Sequence, residues 1–320
     1  MDAAEPDDSP LPPLEPRDID GTGVTVSPLG LDGSIFGWAA GIDDTANLLD
    51  LFHAEGGNFI STADHYAGGR SEIMIGNWVR TLPDRASVVL ATKVGRHPDA
   101  PGLSPHSILR AAEASLERLG TDYIDFLSFD GEDAAVPIEE SLEAGDRLVR
   151  EGKVRFLSAS EFSPASLQHV RELAESAAYP QFRALVVKYN LMDRKVYERD
   201  YQEIACRNGR GAIARVPLAG GFLTGLFRSK DDAPVSLMYE GALDYLGRRG
   251  TRVLDALDEI AAETGHRPAR IALAWAMLKP GIAAVAVRVK DPEQLSVLLE
   301  AVNVRLTRHQ VSMLDRASAY

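Results

Sequence analysis

The chain has 320 residues, 45% of them hydrophobic, and a net charge of −13. That is enough for one large core or two modest ones. The acidic balance argues against general affinity for nucleic acid or anionic membrane, which both need a basic face, but not against an anionic small ligand in a local basic pocket. Cys206 is the single cysteine, so no intrachain disulfide can form; this fits a reducing compartment such as the cytoplasm.

Residues 1–18 are acidic and Pro-rich and read as a disordered tail. They have no basic region ahead of an apolar one, so no secretory signal is expected. No apolar run is long enough to span a bilayer. Residues 19–320 read as one domain. Val24–Pro28 is expected to form half of a small hairpin. Short apolar runs then alternate with amphipathic stretches. The expected strands are Ser34–Gly37, Asn58–Ser61, Ser87–Lys93, Ile124–Phe129, Val154–Ser158, Ala184–Lys188, Ala212–Val216 and Ala283–Val287. Between them, Ser104 and Pro105 open a helix as N-cap and first residue. Leu109, Ala112, Leu116 and Leu119 recur at helical spacing, and Gly120 closes it. A second helix runs over Thr251–Thr264, with Gly265 after it. Cys206 falls in another helical stretch, where a small buried hydrophobe is the expected role.

Repeated strand–helix units with short connections imply parallel strands and crossover helices. Eight units in this length suit a closed (β/α)8 TIM barrel, usually ~250 residues plus insertions. A doubly wound sheet is the runner-up, weakened because no G-x-G-x-x-G follows an early strand. In a barrel the working groups sit at the C-terminal strand ends. Ser61, Tyr66, Lys93, Asp130, Ser160, Glu161 and Arg215 all fall there. The seven histidines show no metal-ligand spacing, so no metal site is expected.

Several segments, in order and at suitable spacing, resemble the aldo-keto reductases. They include Asn58–Glu72 with Tyr66, Val88–Lys93, Leu119-Gly120-Thr121-Asp122-Tyr123-Ile124-Asp125, Gly152-Lys153-Val154-Arg155, Tyr189-Asn190-Leu191-Met192-Asp193-Arg194 and Pro217–Gly225. Ala272–Trp275 and Pro292–Leu295 also fit. The likeness runs from Val26 to Ser318. It implies that Tyr66 is the proton donor in carbonyl reduction and that Lys93 favours its phenolate, the opposite-charge effect. It also implies NADP(H) across the barrel mouth. Ser160 and Glu161 would meet the nicotinamide amide. Leu218, Gly221, Leu223 and Gly225 belong to the loop expected at the pyrophosphate. Lys290, with Arg288, falls at the 2′-phosphate and Gln294 at the adenine.

The departures from that pattern are concentrated at the mouth. Ser61 stands where the family has the Asp that pairs with the Lys, and Asp130 where it has the substrate-orienting His. Val186 replaces a Gln, Arg215 an aromatic residue that stacks on the nicotinamide, and Asp32 a usual Gly. On strand adjacency, Asp130 could reach Lys93 as a substitute counter-ion. Asp64 reads as structural and His65 as a loop side chain. Three readings follow. The first is NADP(H)-dependent reduction of a specialised carbonyl or enone by Tyr66. The second is non-redox dehydration, isomerisation or cyclisation using Asp130, Tyr66, Lys93 and Arg215. The third is a non-catalytic protein that binds NADP(H) or a partner. The expected partner under the first two is a small-molecule substrate, with no nucleic acid or membrane.

Overall fold

The computed structural model describes residues 9–177, 179–232, 239 and 241–320. Two short antiparallel strands come first, β1 (Arg17–Asp18) and β2 (Thr25–Val26). The strands β3 (Leu29–Asp32), β4 (Phe59–Ser61), β5 (Val89–Val94), β6 (Ile124–Asp130), β7 (Val154–Ser160), β8 (Phe182–Lys188), β9 (Ala212–Arg215) and β10 (Ile282–Val287) follow. Among the described residues these eight close a parallel barrel in chain order, β10 pairing with β3. Around it lie α1 (Ile42–Ala54), α2 (Arg70–Val79), α3 (Pro105–Leu119), α4 (Ile138–Arg150), α5 (Pro164–Ala177), α6 (Gln202–Ala205), α7 (Arg248–Thr264), α8 (Pro268–Met277), α9 (Pro292–Leu299) and α10 (Arg308–Ala317). This is the (β/α)8 barrel expected from the alternation.

Strand side chains alternate between two apolar clusters, as the period of two requires. Phe59, Val89, Ala91, Phe126, Val186, Ile213 and Ala286 fill the barrel interior. Leu31, Ile60, Leu90, Leu127, Leu185 and Val285 face the helices. Gly30 shows how tight the interior is. A Cβ there would lie 2.5 Å from Phe59 Cδ1, so only glycine leaves room for that ring.

Caps set both ends of α3 and the C-terminal end of α7 where the sequence suggested. Ser104 Oγ accepts from Ser107 N–H at 3.2 Å at the start of α3, and Gly120 ends it at φ 61. α7 starts at Arg248 rather than Thr251 and ends at Gly265, φ 72. Two buried carboxylates tie strands to their surroundings. Asp125 in β6 accepts from Leu90 N–H at 2.9 Å, Arg85 at 2.9 Å and Arg155 at 2.8 Å. Glu72 in α2 accepts from Thr92 Oγ1 at 2.6 Å and Arg118 Nε at 2.7 Å. The second network joins the helix that follows Tyr66 to the strand that carries Lys93.

Three expectations are corrected. Residues 1–8 of the tail expected over 1–18 lie outside the described residues, but residues within 9–18 are held by the barrel. Leu11 N–H donates to Leu306 O at 3.0 Å, and β1 pairs with β2. Ile19, Val24 and Val26 join the interior cluster, and Arg17 Nη1 donates to Ile282 O at 3.1 Å. The hairpin expected at Val24–Pro28 thus plugs the N-terminal end of the barrel, and burial holds the Arg17 guanidinium down to about 10, with Arg210 adding to the effect. The first barrel strand is β3, not Ser34–Gly37. Asp32 Oδ1 accepts from Ser34 N–H at 2.9 Å and starts a 3-10 turn over Gly33–Ile35. Cys206 is exposed, because it follows the last turn of the short helix α6.

Candidate active site

Backbone strain marks the working end of the barrel. Five described non-glycine residues have left-handed φ, a conformation that L side chains rarely hold. Four of them sit on the C-terminal rim: Ala67 (φ 52), Glu161 (φ 59), Val216 (φ 54) and Ala219 (φ 51). Each directly follows or adjoins an expected site residue: Tyr66, Ser160, Arg215 and Leu218.

The inward strand parity continues into that rim. Gly30 leads to Asp32, Phe59 to Ser61, Ala91 to Lys93, Phe126 to Asp130 and Ile213 to Arg215. The top layer of the barrel is therefore charged, while the layers beneath it are apolar. Lys93 is buried, and its Nζ lies 4.7 Å from the Tyr66 ring centroid, within cation–π range. The same nitrogen donates to Thr62 O at 2.8 Å. Burial pushes the Lys93 amine below the ordinary lysine range, against the pull of Asp32 and Asp130. Burial pushes the Tyr66 phenol well above its ordinary value, and Asp32 and Asp130 push it further; Arg215 and Arg288 act the other way. Tyr66 thus holds its proton firmly, and the expected phenolate-favouring effect of Lys93 does not dominate.

Asp130 does not serve as the ion-pair partner of Lys93. Its carboxylate pairs with Arg96 Nε at 2.9 Å. Sequence reasoning missed Arg96; its signal is a guanidinium three residues beyond Lys93 on the same rim, after Gly95 at φ 117. Ser61 is buried at the end of β4 and stands directly across from Asp32 in register. Asp64 is fully buried, with Oδ1 at 3.3 Å from His65 Nδ1 and Oδ2 without a hydrogen-bond partner. The His65 ring packs edge-on to Tyr66 at 4.9 Å.

The loop after β9 turns through Gly220 (φ 64) and Gly221 (φ 97). With Leu218, Tyr239, Arg288 and Gln294 these glycines line a small cavity of about 40 Å³. A Cβ on Gly221 would lie 2.4 Å from Tyr239 Cδ1. A turned glycine backbone beside an arginine is a fitting cradle for a phosphate. Among the described residues no group of three or more His, Cys, Asp or Glu could hold a metal ion.

The model of the aldo/keto reductase family matches residues 35–319. The chain belongs to this family. Two relatives are each 29% identical to it. One, from Schizosaccharomyces pombe, is named as a putative voltage-gated potassium channel subunit beta; the alignment covers 92% of this chain and 90% of the relative. The other, from Arabidopsis thaliana, is named as a probable voltage-gated potassium channel subunit beta; here 91% and 92% are covered.

Arg288 and Gln294 lie beside the glycine loop. Lys290 is exposed and reaches Asp291 at 3.9 Å, Leu223 is buried in the core, and Gly225 (φ 77) caps the turn. Ser160 is buried beside Val186 in register. Arg215 forms an ion pair with Glu161, so the two side chains satisfy each other across the place expected for the nicotinamide amide. This pair lines a mainly apolar cavity of about 440 Å³ together with Leu185, Met192 and Tyr201. Among the described residues, no helix is long and apolar enough to cross a membrane.

Proposed function

We propose that the chain is an NADP(H)-dependent reductase of a specialised carbonyl or enone, with Tyr66 as proton donor. The observation that carries this reading is the buried Lys93 amine over the Tyr66 ring at 4.7 Å, at the C-terminal mouth of the barrel. Gly220, Gly221, Arg288 and Gln294 would hold the phosphate end of the cofactor. When bound, the cofactor supplies a hydride.

The chain's own residues then handle charge and proton. Burial keeps the phenol protonated at neutral pH, which is the form a general acid needs. As the proton leaves Tyr66 Oη for the substrate oxygen, negative charge grows on the ring, and Lys93 stands over that ring. Asp130 alone would repel an oxyanion. Paired with Arg96 it presents a neutral unit whose guanidinium can take the place of the missing histidine donor. Removing one such donor costs about 10²–10³ in rate. For the cofactor's ring to settle, the Arg215–Glu161 pair must open or serve as its lateral wall.

The test is a titration with NADPH, followed by its fluorescence and by the melting temperature. A ligand at 100 times its dissociation constant stabilises by about 2.7 kcal/mol. Binding is expected, together with reduction of members of an aldehyde and enone panel that Tyr66→Phe abolishes without loss of binding. Absence of NADPH binding overturns the reading. The names of the two relatives support a second reading, a chain that binds another protein; it predicts NADPH binding without turnover.

A further inference from the structure

We propose that Asp32 is the counter-ion of Lys93: the carboxylate expected on β4 has moved one strand over, to β3. Asp32 then acts as a positioning residue that keeps a positive charge beneath Tyr66. The inference deepens the reductase reading and rests on it only for the role of Tyr66.

The placement follows from barrel register. Asp32 and Ser61 are direct partners in the β3–β4 ladder. Partners in neighbouring parallel strands point to the same side of the sheet, here the barrel mouth. The Asp32 carboxylate therefore rises beside the position that Ser61 leaves without charge. Lys93 leans to the same place. From β5 its Nζ crosses to Thr62 O at 2.8 Å, the residue after Ser61.

Two of the other charges around Lys93 are already paired. Asp130 is paired with Arg96. Arg215 is paired with Glu161. Asp64 is turned toward His65 through Oδ1, and its backbone N–H donates to Lys93 O at 2.9 Å. Asp32 accepts one backbone hydrogen bond, from Ser34 at 2.9 Å, is 8% exposed, and has no ion-pair partner in direct contact among the described residues, so its pull on Lys93 acts across a longer gap. A buried carboxylate without a cation is strongly disfavoured. Among the described residues two cations at this mouth have no carboxylate within ion-pair distance, Arg288, which follows Val287 opposite Leu31 on β10, and Lys93, and Lys93 is the buried one. Consistent with this, Asp32 is the foremost carboxylate acting on both Lys93 and Tyr66, ahead of Asp130.

The experiment reads Lys93 directly, without turnover. Lysine side chains are labelled at Cε, the Lys93 resonance is assigned with Lys93→Met, and its pH midpoint is followed by NMR. Asp32→Asn keeps the acceptor for Ser34 N–H and so preserves the turn. The midpoint of Lys93 is expected to fall by at least about one pH unit, a tenfold change in its ionisation constant. Asp130→Asn and Asp64→Asn should each move it less. The double change Asp32→Gly with Ser61→Asp returns the carboxylate to β4 and should restore the parental midpoint. An unchanged midpoint in Asp32→Asn, or a larger shift in Asp130→Asn or Asp64→Asn, overturns the proposal. If Asp32→Asn does not fold, the double variant decides: a parental midpoint supports the proposal, a lowered one overturns it. NADPH binding plays no part in this readout, so failure of the reductase reading would be seen separately.

Discussion

Replacing Arg118 by Met should destabilise the barrel through a residue that touches no expected substrate. Glu72 has no exposed surface, and both its oxygens are used: Thr92 Oγ1 donates to one at 2.6 Å and Arg118 Nε to the other at 2.7 Å. The Arg118 side chain is 20% exposed and passes over Gly69, where a Cβ would lie 2.9 Å from Arg118 Cδ. Arg118→Met keeps most of the packing stem and removes the charge. It leaves a buried carboxylate with one hydroxyl donor, and breaking such a pair on one side costs about 3–5 kcal/mol. Adding Glu72→Gln removes the orphaned charge and keeps an acceptor for Thr92, so more than half of the loss should return. Urea unfolding measures both, as a lower midpoint at unchanged slope. A single-variant loss under about 1 kcal/mol, or a double variant no more stable than the single, would refute the claim that this pair is what fixes α2 to β5 and α3.

Two further outcomes are expected. Burial lowers the Lys93 pKa in the folded chain, so between that lowered value and the ordinary 10.5 the unfolded chain holds more protons. Stability should therefore rise with pH across that window, at up to about 1.4 kcal/mol per pH unit, and the burial penalty is fully present below it. Lys93→Met should lack this rise; a parent-minus-variant difference that is flat with pH contradicts it. Gly221→Ala forces a side chain to φ 97 and against Tyr239 at 2.4 Å, whereas Gly265→Ala, at φ 72, meets nothing within 4 Å. The first should lose about 1–3 kcal/mol more than the second, with Tyr239→Ala relieving the difference; equal losses in denaturant melts would rule out the contact.

The sequence by itself determined the architecture and the barrel end at which Tyr66 and Lys93 meet. Alternating apolar runs, the cap at Ser104, the stop at Gly120 and the Tyr66 and Lys93 motifs are local signals, and local physics reads them. Propensity misled at Ser34–Gly37, whose Ile and Phe suit a strand; the Asp32 cap and the register of β3 against β4 and β10 overrode it. It misled again at Arg17 and Asp18, which look like tail until Thr25–Val26 pairs with them. What only the tertiary structure decided is which side chains meet at the mouth. Asp130 and Arg96, Glu161 and Arg215, and Asp32 and Ser61 are far apart in the chain and become neighbours through strand order and register in the closed barrel. Coulomb interactions depend on distance in space and on burial, and neither is carried by sequence spacing. The strange substitutions at the mouth were visible one by one, but the charge pattern they form exists only once the barrel is closed.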